Sequence, residues 1–311
     1  MVNDNEIKAE VSPFAIREGE IKTFDGKDGY VSMNQIVHKI NIGHINDIHF
    51  AILDLVNEFE FITSRQLYQM LEIKGIDAKS QDKLNNKLEQ MIKSKILTRY
   101  YFNSEDGKGI YRIYCMEKMG KYLLNSREID TKWQPSDNIK PVAMIKKRLA
   151  GNQTIIAYLR KVKAFDSYVV KPALTAKMTG KVFKATGGEV NLIKNKKSIQ
   201  FLFEVVRRES DWQTKLVDKM RLYKDFYENF VPGDSGFSTL PQLIFVCEDE
   251  KHIVETYKEI VKNKVEIEKL KLYFTTDLRQ NKETLENTLL EFKIVDGKYT
   301  LADVELKLLG M

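Results

Sequence analysis

Cysteine is almost missing from this chain. Cys115 and Cys247 are the only two in 311 residues and neither has a CxxC partner, which excludes a disulfide framework and a cysteine-based zinc site. Six prolines and sixteen glycines are too few for a long low-complexity segment. No apolar run approaches the roughly 18 residues of a membrane span. The start, MVNDNEIKAEVSPF, is acidic and polar where a signal peptide would be basic and then apolar. A cytoplasmic protein with no membrane partner is the expectation. The familiar catalytic signatures are also missing: there is no GxxxxGK[ST], GxGxxG or GxSxG, and His38, His44, His49 and His252 show no HExxH spacing.

What the chain does have is room for two cores, with 43% hydrophobic and 30% charged residues, and a charge that is unevenly spread. The net +6 hides a balanced stretch at 44–126 and an acidic one at 201–311, whereas residues 142–200 hold thirteen Lys/Arg against Asp166 and Glu189 alone. Such a block, interleaved with Tyr158, Phe165, Tyr168 and Phe183, would bind a polyanion through phosphate contacts and counterion release; the plainer reading is a solvated lysine-rich surface. On the first reading Lys146, Lys147, Arg148, Lys194, Lys196 and Lys197 hold phosphates, and much of the salt-dependent affinity resides in this second domain.

Residues 1–43 show turn signals at Asp25-Gly26 and Asp28-Gly29 but no sustained period, and read as an arm. From 44 the pattern changes. Ile45, Ile48, Ile52, Leu55, Val56 and Phe59 mark one face of a helix. Thr63 with Gln66 forms a capping box for a second helix that buries Leu67, Met70 and Leu71 before Gly75. Ser80 caps a third, with Leu84, Leu88, Met91 and Ile92 inside and Lys79, Lys83, Asn86, Gln90 and Lys93 on the opposite face. The runs 97–103 and 110–115 flank a turn and predict a β-hairpin carrying Arg99, Lys108 and Arg112. Three helices, a hairpin and a short helix near 119–124 predict a winged helix-turn-helix over 44–126, whose third helix would enter the major groove of double-stranded DNA. Winged helices also serve as dimerisation and protein-docking modules, which is the alternative.

Residues 127–141 hold Trp133, Pro135 and Pro141 without periodicity and read as a linker. The domain at 142–311 alternates helices (142–163, 211–230, 249–262) with strands (190–193, 199–206, 243–247, 270–274), so the fold class is a two-domain α+β and α/β chain whose second domain is a mixed sheet with flanking helices.

Taken in order, Thr63-Ser-Arg-Gln-Leu67, Lys93-Ser-Lys-Ile-Leu-Thr-Arg99, Met119-Gly-Lys-Tyr-Leu-Leu124, Lys171-Pro-Ala173, Phe203-Glu-Val-Val206 and the helix with Lys215, Lys219 and Tyr223 resemble the replication-relaxation family. The resemblance covers about residues 45–275. It implies a protein of plasmids and mobile elements of Gram-positive bacteria, acting in replication, mobilisation or conjugation, or transcriptional control. Its partners would be double-stranded DNA and the element's replication or conjugation proteins. Homodimers on palindromic sites are a general habit of DNA readers.

The resemblance also implies a diverged restriction-endonuclease-like core, similar to PD-(D/E)xK nucleases, in which an Asp and a Glu hold Mg²⁺ and a Lys helps activate water. Here Pro172 is followed by Ala173, and Glu204 by Val206 and Arg207. Two of the three catalytic positions are apolar, so no cofactor is expected. A Mg²⁺-dependent nuclease built on Glu204 with a displaced Lys215 is the enzymatic alternative, and a protein-docking scaffold is the third.

Overall fold

The computed structural model of the protein describes residues 12–103, 111–194, 196–282, 284–295 and 298–304. They form two compact units: Ile16–Asn152, and the chain from Gln153 onward together with the segment ending at Ala15.

In the first unit the elements are β1 (Ile21–Phe24), α1 (Met33–Asn41), α2 (Asp47–Phe59), β2 (Ile62–Thr63), α3 (Ser64–Ile73), α4 (Gln81–Lys93), β3 (Leu97–Asn103), β4 (Arg112–Met116) and α5 (Lys118–Ser126), with α6 (Val142–Lys161) continuing into the second. The antiparallel sheet has the order β1-β3-β4-β2. Periodicity and caps account for the helices. α2 buries Ile52, Leu53, Leu55, Val56 and Phe59, and each such side chain removed from water contributes roughly 1.5–3 kcal/mol. α3 starts where the Thr63 hydroxyl accepts from the Gln66 N–H at 3.1 Å while the Gln66 carbonyl oxygen accepts from the Thr63 N–H at 3.2 Å. This closes the capping box expected from sequence.

Two stretches depart from expectation. Residues 21–41, read as an arm, hold a strand and a helix: β1 pairs with β3 from Ile21↔Asn103 to Phe24↔Tyr100, and Ser32 and Gln35 cap α1 reciprocally. A four-residue strand is too short to print a period, and its neighbour lies some eighty positions away. Residues 127–141, read as a linker, are packed within the first unit. Arg127 forks onto Asp54 at 2.7 and 2.9 Å, the Trp133 indole donates to Asn138 at 3.1 Å, and the Asn138 amide donates to the Met116 carbonyl at 2.8 Å. The division between the units falls at 152/153, inside α6, rather than at 142.

Within the second unit the chain continues as β5 (Phe165–Val169), β6 (Ala173–Ala176), β7 (Lys181–Lys184), β8 (Gly188–Lys194), β9 (Lys197–Val205), α7 (Trp212–Glu228), β10 (Gln242–Cys247), α8 (Glu250–Lys262), β11 (Tyr273–Thr276), α9 (Asp277–Lys282), β12 (Leu290–Val295) and β13 (Lys298–Asp303). The main sheet runs β13-β12-β11-β10-β9-β8-β5, with β6 and β7 forming a separate ribbon. β9, β10 and β11 are parallel and the remaining pairs antiparallel. β10 reads Gln-Leu-Ile-Phe-Val-Cys and buries its last five residues, as a parallel strand covered on both faces must.

β9 alternates strictly. Phe201 and Phe203 meet Tyr158 of α6, with ring centroids 5.9 and 5.1 Å apart, and Glu204, one step off that face, meets Tyr223 of α7. The chain entering β8 can lie against β9 only because residue 187 is glycine: its N–H donates to the Phe203 carbonyl at 2.9 Å, and a Cβ there would lie 2.7 Å from the Phe203 Cβ. Gly188, at φ +92°, would likewise drive a Cβ into Ile155. Both cysteines are buried and free. Among the described residues, no helix is long and apolar enough to cross a membrane.

Candidate nucleic-acid interface

α4 carries most of the candidates, and local chemistry positions it. The Asp77 carboxylate accepts from the Lys79 N–H at 2.7 Å, and Lys79 adopts φ +65°. Ser80 then accepts from the Lys83 N–H at 3.2 Å. Leu84, Leu88, Met91 and Ile92 are buried. By helical geometry Lys79, Lys83, Asn86, Gln90 and Lys93 are left on the other side, and all five are exposed. The four of them from Lys79 to Gln90, together with Ile48, Asp77, Ala78 and Lys87, line a groove of about 440 Å³. Lys87 and Asp77 were not picked out in the sequence, and Ile48 was read only as part of an apolar helix face: Lys87 lies at the edge of the polar face, and the other two reach the groove from separate segments.

Gln90 is oriented from behind. His49, buried on α2, takes the Asn46 N–H on Nδ1 at 3.2 Å and faces the Gln90 carbonyl oxygen with Nε2 at 3.1 Å. Burial first, then the charge of Lys87, lowers the pKa of His49. Nδ1 also lies 2.9 Å from Asn46 Oδ1, so the ring is anchored to the start of α2 on one side and to Gln90 on the other, which fixes the Gln90 side chain in place.

On the hairpin the expected cations separate. Arg112 is exposed, with Nε 3.3 Å from Asp25. Arg99 does not face outward. It is only 7% exposed and lies between Asp25 at 2.7 Å and Glu89 at 3.0 Å, because β3 alternation turns position 99 inward. Lys108 lies outside the described residues.

The basic block is likewise divided. Lys146 is 1% exposed and paired with Glu20 at 2.5 Å, over the Phe102 ring, so it is an interior ion pair and not a phosphate contact. Helical phase places it with Ile145 and Leu149, and its partner is more than a hundred residues away in sequence. Arg148 is half-buried, 3.6 Å from Glu60; Lys147 is half-buried. Lys196 is exposed at φ +63° in the β8–β9 turn. Lys194 and Lys197 close that ladder, and their side chains lie outside the described residues.

The nuclease-like positions do not converge. Ala173 opens β6 on the separate ribbon, opposite Lys184, and supplies no carboxylate there. Val206 is buried and Arg207 bridges to Asp277 at 2.7 and 2.9 Å. Lys215 is exposed and bonded to Glu209 at 2.9 Å, so it does not reach Glu204. The lysine that does is Lys219, one turn further along α7, at 3.3 Å. Glu204 also accepts from the Tyr223 hydroxyl at 2.6 Å, the Thr186 hydroxyl at 3.0 Å and the Thr186 N–H at 3.2 Å. Burial first, then the Glu204 charge, pushes the Tyr223 phenol well above its ordinary value, so it remains a donor. An ammonium and three hydrogen-bond donors already saturate this carboxylate, and neither partner position supplies a second oxygen ligand. These residues do not fit Mg²⁺.

Comparison of the chain with protein-family profiles, with curated proteins and with solved structures finds no match.

Proposed function

We propose that the chain binds double-stranded DNA through its first unit, as a winged helix-turn-helix protein of a plasmid or integrative mobile element, serving replication, mobilisation or transcriptional control. One observation carries this reading: the groove along α4, where Lys79, Lys83, Asn86, Lys87 and Gln90 come together on an exposed helix face. On this reading α4 enters the major groove. Lys79, Lys83, Lys87 and Lys93 hold phosphates and set affinity, and Asn86 and Gln90 reach base edges. Gln90 has one end of its amide engaged by His49, and so makes a one-point base contact with the other end instead of the two-point adenine contact that needs both. Arg112 follows the backbone beside the helix. In the second unit the nuclease-like core serves as a scaffold, with Glu204 tying β9 to α7.

The test is fluorescence anisotropy of a labelled mixed-sequence duplex titrated with the full chain between low and moderate salt. The expected result is salt-dependent binding that Lys83→Glu/Lys93→Glu weakens, with the slope of log K against log salt reduced by about 2. No binding at low salt would overturn the reading in favour of a protein-docking scaffold. Supercoiled plasmid incubated with the protein and Mg²⁺ or Mn²⁺ is expected to stay intact. Nicking abolished by Glu204→Gln would establish the nuclease alternative instead.

A further inference from the structure

The ribbon β6–β7 lies outside the α4 groove, and of its residues the sequence marked only Ala173, as a nuclease-like position, and Phe183, as an aromatic of the basic block. Its inner side is core: Leu174, Ala176 and Phe183 are buried, with Phe183 edge-on to Tyr223 of α7 at 5.1 Å. The outer side is open. Thr175 and Val182 face each other across the ladder, and Val182 is 63% exposed. The turn that joins the strands, Lys177-Met-Thr-Gly180, holds Met178 at 79% exposure.

A large apolar side chain so far in solvent normally costs little if the turn is loose, but this turn is fastened down. The Met178 N–H donates to both oxygens of the Asp225 carboxylate at 3.0 and 3.1 Å. Lys177 pairs with Asp234 at 2.6 Å, and Gly180 supplies the φ of +68° that closes the turn. Methionine is thus held outward on a rigid mount.

Along the ribbon itself the charge has one sign. Residues 167–188 contain Lys171, Lys177, Lys181 and Lys184 and no acid. The nearby carboxylates are Asp225, bonded to the Met178 N–H and the Asn229 amide, Asp234, paired with Lys177, and Glu204, paired with Lys219. Lys181 and Lys184 are exposed and form no ion pair among the described residues. Burial first, then the neighbouring Lys184, lowers the Lys171 ammonium to about 8.

We infer that the β6–β7 ribbon is a second DNA contact, with Lys181 and Lys184 on the phosphates flanking a minor groove and Met178 entering that groove as an apolar wedge between base steps. Only the tip of the turn has to enter the groove, and inserting an apolar side chain there unstacks a step and bends the duplex, which brings more backbone within reach of the lysines. The inference rests on the DNA-binding reading but uses different residues, so the two fail separately.

The experiment compares the full-length protein with Lys181→Glu/Lys184→Glu and with Met178→Ala. Two readouts are taken on a duplex of about 30 base pairs carrying a dye at each end: anisotropy across salt, and energy transfer between the ends as a measure of bending. All changed residues are exposed, and Thr175→Glu on the same outer face serves as an independent variant should either fail to fold. The double charge reversal is expected to lower affinity about ten-fold and to reduce the salt slope by about 2. Met178→Ala is expected to keep the salt slope and lose the bend. Variants that bind and bend DNA like the parent would overturn the inference while leaving the α4 reading intact. A parent protein that binds no duplex at low salt would overturn both. Binding of the parent to phosphatidylserine vesicles that Met178→Ala abolishes, with duplex binding unchanged, would assign the ribbon to a membrane surface and overturn the inference as well.

Discussion

α4 and α6 both look basic in sequence, yet they use their charge in opposite ways. Lys79, Lys83 and Lys93 around α4 are exposed and form no ion pair among the described residues, although the segment 44–126 is nearly neutral overall. α6 opens the most basic block of the chain, yet Lys146 is an interior partner of Glu20 and Arg148 leans on Glu60. At the far end of α6, Lys161 donates to the Gln280 carbonyl. Formal charge summed along a chain is therefore a poor map of the field outside it. What matters to a polyanion is the charge left over after tertiary pairing, at the distances set by the Debye length.

The contrast is sharpest in stability. Lys146→Ala leaves the Glu20 carboxylate buried without its ammonium and is expected to cost about 3–5 kcal/mol, read as a fall in the urea midpoint. Lys146→Met combined with Glu20→Gln should recover most of that loss. A single variant with an unchanged midpoint would show that the pair is not interior.

Next in size is an acid effect with a distinct source in each unit. Burial, followed by the charges of Arg208 and Arg207, pushes His252 down to about 3, and His49 is lowered as well. The unfolded chain takes protons on these rings near pH 6.5 while the folded chain refuses them. For His252 the stability is thus whole above about 6.5 and falls as the pH drops toward 3, by up to ~1.4 kcal/mol per pH unit, and His49 acts in the same direction. Denaturation midpoints between pH 6.5 and 5, where most carboxylates are still ionised, report this slope, and His252→Gln should flatten it. An unaltered slope in that variant would contradict the buried neutral ring.

Smaller again is Tyr223→Phe. It removes one donor from Glu204 but leaves Lys219 and Thr186 in place, so about 1–2 kcal/mol is expected by chemical denaturation. Smallest is Lys83→Glu/Lys93→Glu, which should change stability by no more than ~0.5 kcal/mol while weakening DNA binding. A pair of variants in which Lys146→Ala leaves stability intact and Lys83→Glu/Lys93→Glu destroys it would invert the comparison.

How much of this was legible follows from the range of each signal. The α4 face was readable because helical phase is local: Leu84, Leu88, Met91 and Ile92 fix which side is buried, and Lys83, Asn86 and Gln90 follow by rotation. Caps at Thr63 and Ser80 were readable for the same reason. Arg99 and Lys146 were misplaced because their acids, Asp25, Glu89 and Glu20, are distant in sequence, and a residue type that usually seeks solvent carries no mark that it has a buried partner. Lys215 was preferred to Lys219 beside Glu204 because the direction in which α7 crosses β9 is a packing outcome. The β6–β7 ribbon was missed outright, since its strands are four residues each and half exposed.

By itself, then, the sequence determined α2 to α8, the caps at Thr63 and Ser80, the buried stripes, the strands at the centre of the main sheet and the outward face of α4. These depend on interactions within a few residues or on the period of burial. Tertiary structure alone decided which cations are neutralised, that residues 21–41 complete the first unit, that Glu204 is enclosed by Tyr223, Thr186 and Lys219, and that Met178 stands exposed on a fastened turn. Each of those depends on groups brought together from far along the chain, where the energy of a contact is set by geometry that no local pattern encodes.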